Sequence, residues 1–152
     1  MTVNDRLAEL GIELPAVATP VANYLLTRRS GSLLFVSGHI GKQDGRVVSG
    51  RLGDSLSVQE GQSLARATAV DILASVRAAL GSLDAVHTVV KLTGYVNSTS
   101  SFMDQSAVVN GASDLMVEVF GENAGRHSRA AVGVAQLPLG AAFELEAIFE
   151  VE

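Results

Sequence analysis

The chain has 152 residues, the size of one ordinary domain, and a formal net charge of −5 at pH 7. That charge argues against a nucleic-acid-binding surface, because neutralising a phosphate backbone requires clustered Lys and Arg. Cysteine is absent, which excludes disulfides, thiolate metal sites and cysteine nucleophiles.

Two further features concern location and assembly. The N-terminal sequence is too polar for a signal peptide and no apolar run approaches a membrane span, so we expect a cytoplasmic protein without membrane contact. Charged residues make up only 18% of the chain, below the roughly 25% of an average domain. A surface this poor in charge is expected to lie partly against another subunit, with a monomer as the alternative.

No linker, repeat or low-complexity segment divides the chain, so we predict one domain over residues 1–152. Glycine and polar residues between positions 41 and 54 indicate a surface loop without a phosphate-binding motif. The predicted elements before residue 55 are, in chain order, a helix at 5–10, an extended segment at 11–20, strands at 24–29 and 33–40, and a brief strand at 46–48.

The middle of the chain is predicted to contain a helix, a long strand and a second helix. Ser57-Val58-Gln59-Glu60 is a capping box that begins the first helix, and Gly81 is placed to end it. A strand is predicted at 86–97, and its expected apolar face comprises Val86, Thr88, Val90, Leu92 and Val96.

The second helix is expected to be capped by Ser101 with Asp104, to run to Phe120 and to end at Gly121. Asn110 and Gly111 lie in its middle, where neither residue favours a helix. Such a local exception is either a functional feature or a glycine required for packing.

The C-terminal part is predicted to be a hairpin, with strands at 129–136 and 142–151 around a turn at 137–140. In its second strand apolar residues alternate with glutamates, and Ile148 is the exception on the polar face. The order β-β-α-β-α-β-β predicts an α+β sandwich with two helices on one face of a mostly antiparallel sheet. The other face is expected to carry a subunit interface or a functional site.

Arg129 is the first candidate for a functional residue. It begins a strand of small residues, which leaves room for a planar anion held by two parallel hydrogen bonds; a surface arginine at a strand end is the alternative. Glu144 and Glu146 are expected on the adjacent strand, where a carboxylate could orient a water or move a proton, unless both are simply solvated. His127 could share the face of Arg129. The three histidines lie too far apart in sequence for a local metal motif, and no metal or cofactor is predicted.

The segment SRAAVGVAQLPLGAAFELEAIFEV, at 128–151, resembles the C-terminal motif of the RidA (YjgF) family, also called the endoribonuclease L-PSP family. Its elements are an arginine, a short strand of small residues, a Val-Ala-x-Leu-Pro turn and a Glu-x-Glu-Ala strand. The similarity extends back to about residue 18 through Asn23-Tyr24, the Ser-Gly strand FVSGHI at 35–40, and Val109-Asn110-Gly111. The resemblance implies a chorismate-mutase-like fold, a homotrimer with clefts between subunits, and an N-terminal extension at residues 1–17.

The resemblance also implies an activity, the hydrolysis of 2-imino acids or their enamine tautomers to 2-keto acids and ammonia. Arg129 would hold the substrate carboxylate, and Glu144 would position the attacking water or move protons. The other residues that it places at the substrate are Tyr24, Ser37, Gly38, Asn110 and Ala131. The implied partner is a small carboxylate-bearing substrate, and no nucleic acid.

The chain departs from the family pattern at Ala131, where the best-known members carry a cysteine, and at His39, where they carry a glutamine. Two other functions therefore stay open. A non-catalytic binder of small carboxylates would use the same arginine without turnover. An endoribonuclease ranks third, because of the negative net charge and the absence of paired histidines.

Overall fold

A computed structural model describes all residues, 1–152. The α-helices are α1 (Val3–Glu9), α2 (Val58–Leu80) and α3 (Gln105–Gly125). The strands are β1 (Thr27–Ser30), β2 (Leu33–Ile40), β3 (Lys42–Gln43), β4 (Arg46–Val47), β5 (Val86–Asn97), β6 (Ser128–Val134) and β7 (Phe143–Val151). None of the helices combines the length and the apolar character needed to cross a lipid bilayer.

Five strands form one sheet in the order β1-β2-β7-β5-β6, and β3 pairs with β4 in a separate small hairpin. Neighbouring strands of the large sheet are antiparallel except β5 and β6, which run parallel. The helices α2 and α3 pack against each other and against one face of this sheet, and the apolar core lies between the two layers. The predicted α+β two-layer sandwich is therefore confirmed.

The predicted C-terminal hairpin is wrong, because β6 and β7 are not neighbours. β7 lies at the centre of the sheet between β2 and β5, whereas β6 lies at its edge beside β5. The chain passes from β5 to β6 through α3, the kind of crossover that parallel pairing requires. After β6, a 3-10 turn at Pro138–Gly140, with Leu139 at φ 59°, leads the chain to the opposite side of β5.

The helix α2 has the predicted ends. The Glu60 carboxylate accepts a hydrogen bond from the Ser57 backbone N–H (2.7 Å), and the Ser57 hydroxyl oxygen accepts one from the Glu60 N–H (3.2 Å). Gly81 follows the last turn with φ 83°, a conformation that glycine adopts without steric cost. The face of α2 turned to the sheet is fully buried at Ile72 and Leu73.

The helix α3 is interrupted where its end was predicted. Gly121 has φ 81° and ψ 172°, and one further helical turn continues to Gly125. Asp104 precedes the helix as its N-cap residue, but its side chain makes no capping hydrogen bond. Gly111 lies so close to the Gln62 carbonyl oxygen of α2 that a β-carbon there would overlap it. This mid-helix glycine therefore permits the close packing of the two helices.

The strands β2 and β5 have the predicted bounds, but two details of the strand predictions are wrong. β1 begins at Thr27, so Tyr24 lies in a bend before the strand. On β5, Leu92 and Val96 are buried as predicted, but Val89 is buried as well, and Val86, Thr88 and Val90 are only partly buried. The pairing with β7 shifts register between Val89 and Lys91, and this bulge changes which residues face the core.

The N-terminal helix α1 packs on the outside of α3. The Arg6 Nε–H donates to the Glu118 carbonyl oxygen (2.7 Å), and the Val3 N–H donates to the Asp84 carboxylate (2.7 Å). Leu7 is buried in the same core as the sheet and the long helices. The N-terminal extension implied by the resemblance thus begins with a helix docked on the helical layer, followed by an irregular segment.

The face of the sheet turned away from the helices is partly apolar. Along β7 the odd-numbered residues are buried against the helices, and the even-numbered residues lie on this other side, as predicted. Phe35 pairs with Ile148 and is 43% exposed, and Val132 pairs with Tyr95 and is 41% exposed. We call this surface the open face, and it includes Phe35, Tyr95, Val132, Glu144, Glu146 and Ile148.

Candidate active site

Arg129 lies on the edge strand β6 with its side chain on the helix-facing side of the sheet, in register with the buried Leu92. Its Nη1 donates to Asn110 Oδ1 (2.8 Å) and to Ser113 Oγ (3.2 Å), and its Nη2 donates to the Ser106 carbonyl oxygen (3.4 Å). All three acceptors belong to α3. The half-buried Arg129 is therefore anchored to a helix and does not extend freely into solvent.

The guanidinium of Arg129 has no negatively charged partner in the chain. Its acceptors are an amide, a hydroxyl and a carbonyl, and it takes part in none of the three salt bridges. Its Nε–H makes no hydrogen bond. The Nε–H and the neighbouring Nη2–H form the edge that holds a carboxylate through two parallel hydrogen bonds. Arg129 therefore presents to a ligand a charge that forms no salt bridge and an edge that makes no hydrogen bond within the chain.

Asn110 and Ser113 occupy one side of α3, three residues apart, and both contact Arg129. Asn110, the polar residue in the middle of α3, thus has a defined hydrogen-bond partner in Arg129, although its side chain is exposed. Ser113 is not among the predicted site residues, although its spacing of three residues from Asn110 was a signal for it. We call Arg129, Asn110 and Ser113 the Arg129 group.

Glu144 lies on the open face, next to the irregular part of β2. The pairing of β2 with β7 shifts between Val36 and His39, so Gly38 lies in a bulge. The Glu144 carboxylate lies directly against Gly38, and any β-carbon at that position would overlap it. The structure therefore brings together two residues that the family resemblance had placed at the substrate.

Ser37 and Tyr24 belong to the same region. The Ser37 hydroxyl donates to the Leu25 carbonyl oxygen (2.7 Å), and the Ser37 N–H donates to the Leu26 carbonyl oxygen (2.9 Å). These bonds attach the segment that carries Tyr24, a side chain that is 53% exposed, to the bulge of β2. We call Tyr24, Ser37, Gly38 and Glu144 the Glu144 group.

Glu144 and Glu146, two of the three glutamates of β7, have different surroundings on the open face. The Tyr95 hydroxyl donates to Glu146 Oε1 (2.8 Å), and this bond raises the pKa of Tyr95 to about 12. Glu144 makes no side-chain hydrogen bond, and burial, with the nearby Glu146 charge, raises its pKa above the usual glutamate value. A carboxyl group that holds its proton closer to neutral pH is suited to accept and return a proton.

The Arg129 group and the Glu144 group of one chain do not meet. The expectation that Glu144 lies on the strand adjacent to Arg129 is wrong, because β5 separates β6 from β7. Arg129 is in register with Leu92, and Glu144 with Tyr95, which lies on the other face of β5. Two strand spacings and an offset of three residues along the strands place the Cα atoms of Arg129 and Glu144 about 14 Å apart. A single chain therefore contains two separate halves of the predicted site.

Each half borders its own surface depression. One, of about 540 Å³, is lined by Arg129, Ser113 and His127 together with Arg126 and the carboxylates of Asp114, Glu118 and Glu122. The other, of about 410 Å³, lies on the open face and is lined by Ser37 and Glu146 but not by Glu144. No cluster of three or more His, Asp and Glu side chains is arranged to hold a metal ion.

Ala131 lies two residues beyond Arg129 on the same side of β6. It is in register with Gly94 and packs, partly buried, against the core. A methyl group there offers neither a nucleophile nor a hydrogen bond, so it shapes the surface beside Arg129 without taking part in chemistry.

The chain matches a family model over residues 4–149, and the model is described as "YjgF/chorismate mutase-like, putative endoribonuclease". The chain belongs to this family. The resemblance to the RidA (YjgF) family that the C-terminal motif carries is thereby confirmed.

Three relatives illustrate the similarity within the YjgF family. Protein TCP17 of Trypanosoma cruzi is 55% identical over 150 residues, which are 98% of this chain and 94% of that protein. The structure of Atu1372, a protein of unknown function from Agrobacterium tumefaciens, is 43% identical with a TM-score of 0.90, covering 99% of this chain and 92% of that one. A putative endoribonuclease from Shewanella oneidensis is 32% identical with a TM-score of 0.94, covering 99% of this chain and all of that one.

His39, which replaces the glutamine of the YjgF family pattern, points away from both halves of the site. Its Nε2 lies 2.8 Å from the Ser75 hydroxyl of α2, and its Nδ1 lies 2.6 Å from the Ser37 carbonyl oxygen. Burial lowers the pKa of His39, while Ser37 and the nearby Asp71 oppose that change and Lys42 adds to it. His39 therefore links β2 to α2 as a partly buried side chain.

This burial predicts a pH dependence of stability. The pKa of His39 is 6.5 in the unfolded chain and lower in the folded protein, so the unfolded chain binds the proton more tightly. The contribution of His39 to the stability of the folded protein is fully present above pH 6.5. It is lost as the pH falls from that value towards the pKa of His39 in the folded state. We expect the thermal midpoint to fall more between pH 8 and pH 6 in the wild type than in His39→Gln. The matched control is His87→Gln, at an exposed histidine, which should show the wild-type pH dependence.

Proposed function

We propose that the protein hydrolyses reactive 2-imino acids and their enamine tautomers to 2-keto acids and ammonia, in the cytoplasm, where enzymes that use pyridoxal phosphate release such imines. The observation that carries this proposal is the unoccupied edge of Arg129, a cation whose partners in the chain are all neutral. A 2-imino acid has its carboxylate next to the C=N bond. Binding of that carboxylate to Arg129 therefore fixes the reacting carbon relative to the protein.

The proposal includes a homotrimer in which each site is shared by two subunits. The Arg129 group lies at the helix-covered edge of the sheet, and the Glu144 group lies on the open face, so neither half is complete alone. A neighbouring copy seated on the open face would cover exposed Phe35 and Val132 and could place its Arg129 near Glu144. The resemblance to the RidA family, whose members assemble with clefts between three subunits, supports this arrangement.

In the proposed reaction, a water molecule between Glu144 and the bound imine attacks the imine carbon. With the imine nitrogen protonated, Glu144 takes a proton from the water as the carbon–oxygen bond forms, which gives a neutral amino alcohol. Glu144 then returns that proton to the nitrogen. As the carbon–nitrogen bond breaks and ammonia leaves, the Glu144 carboxylate takes the hydroxyl proton and the carbonyl forms. The raised pKa of Glu144 supports this role, because one group must accept and then donate the same proton.

The test is turnover of freshly generated 2-iminopropanoate, followed by the rate at which pyruvate appears. We expect the wild-type protein to exceed the rate in buffer and Arg129→Ala to lose most of that acceleration. A protein that binds pyruvate but gives only the buffer rate would be a non-catalytic carboxylate binder. Cleavage of RNA that is lost in Arg129→Ala, without imine turnover, would instead assign the endoribonuclease activity of the family description.

A further inference from the structure

His127 and Ser113 form a chain of hydrogen bonds behind Arg129. The Arg129 Nη1 donates to Ser113 Oγ (3.2 Å), and Ser113 Oγ lies 2.9 Å from His127 Nε2. On the other side of the ring, His127 Nδ1 lies 2.7 Å from the Gly125 carbonyl oxygen. The guanidinium is therefore connected through a hydroxyl and an imidazole to the backbone at the end of α3.

The direction of these bonds follows from the donors and acceptors present. A carbonyl oxygen only accepts, so His127 Nδ1 carries a proton and donates it to Gly125. In the neutral imidazole Nε2 is then an acceptor, and the Ser113 hydroxyl donates to it. The lone pairs of Ser113 Oγ remain for Arg129 Nη1, so every donor in the chain of bonds has an acceptor.

The far end of this chain of bonds is held rigidly. Gly125 is buried, and a β-carbon at that position would lie 2.5 Å from the Met116 carbonyl oxygen and 2.7 Å from Val117 Cα. The end of α3 at Gly125 therefore packs directly against the backbone of an earlier part of the same helix. This packing fixes the position of the Gly125 carbonyl. His127 lies two residues later, and its ring is held on both nitrogens.

We propose that Ser113 and His127 are positioning residues that fix the orientation of Arg129 and so set the affinity of the site for the substrate carboxylate. This inference rests on the proposed function, because it takes Arg129 as the group that binds the carboxylate. Asn110 holds the other proton of Nη1 (2.8 Å). With both Nη1 protons bonded to α3, the guanidinium cannot rotate away, and its Nε edge stays turned towards the ligand.

The test compares Ser113→Ala and Ser113→Thr by calorimetric binding of 2-oxobutyrate and by KM and kcat for the imine. Ser113 contacts the guanidinium and not the carboxylate itself, so loss of its hydrogen bond is expected to raise Kd and KM by about two- to tenfold in Ser113→Ala, with a smaller change in kcat. Ser113→Thr keeps the hydroxyl and should restore Kd to within about twofold of wild type. The matched control is Ser101→Ala, at an exposed serine just before α3 that is not a hydrogen-bond partner of Arg129.

A double-mutant comparison separates positioning from general support of the fold. If His127 acts through Ser113, then His127→Phe weakens binding alone but adds nothing to Ser113→Ala. The Arg129 Nε–H signal in nitrogen-15 NMR should broaden in both single variants, as the side chain gains freedom. Additive effects, or an unchanged Kd and Nε–H signal in Ser113→Ala, would overturn the inference. Normal binding of 2-oxobutyrate by Arg129→Ala is a different outcome, and it would contradict the proposed function itself.

Discussion

Replacing Arg129 with alanine is expected to weaken the binding of 2-oxobutyrate by roughly tenfold to a few hundredfold, since charge-assisted hydrogen bonds contribute about 1.5–3 kcal/mol each. Arg129→Lys should also weaken binding, although it keeps the charge. A lysine ammonium cannot hold Asn110 and Ser113 while presenting two coplanar donors to a carboxylate. Calorimetric titration of the three proteins measures the effect.

The thermal midpoint is the control for this comparison. Arg129 makes no salt bridge, so its removal leaves no unpaired carboxylate behind. The midpoint should therefore change little in either variant. Unchanged affinity in Arg129→Ala would show that the arginine only supports α3, and the carboxylate site would then lie elsewhere.

Mixed trimers are expected to recover activity that their component chains lack. Arg129→Ala lacks one half of every site and Glu144→Gln lacks the other, so each variant alone should be close to inactive. In a cyclic trimer that contains both variants, one site combines the intact Glu144 of one chain with the intact Arg129 of another. Trimers co-expressed with two tags and purified on both should show about one third of the wild-type activity.

The control for this experiment is a pair of Arg129→Ala chains that carry the two tags, which should recover nothing. Light scattering establishes the assembly, with a mass of about three times the 15.8 kDa of one chain. Mixed trimers that stay inactive would mean that Arg129 and Glu144 act independently. A mass near that of one chain in dilute solution would contradict the shared site altogether.

The elements with strong local signals could be predicted from the sequence. The capping box and Gly81 define α2, and the Gly-bounded run of strand formers defines β2, because these signals lie within the elements themselves. The pairing of β7 depends on contacts with β2 and β5, which are distant in the chain. A turn between two strands predicts a hairpin, and only the α3 crossover explains why β6 pairs with β5 instead.

In the candidate site too, some features could be predicted from the sequence and others depend on the fold. The resemblance predicted Arg129, Glu144, Gly38 and Asn110 as site residues. The structure places Arg129 beside Asn110 and Glu144 beside Gly38. The separation of the two groups could not be predicted, because it depends on the order of strands and not on the residues of any one strand. Ser113 was missed, because an isolated serine within an amphipathic helix resembles any solvent-facing position.

The central place of β7 has a consequence for the synthesis of the protein. It is the last strand in chain order, yet it pairs on both sides, with β2 and with β5. On the ribosome those two strands emerge well before the segment that must lie between them. In a nascent chain that ends before Phe143, the facing edges of β2 and β5 lack their pairing partner and are open to chaperones. The sheet is completed only once residue 151 has left the exit tunnel.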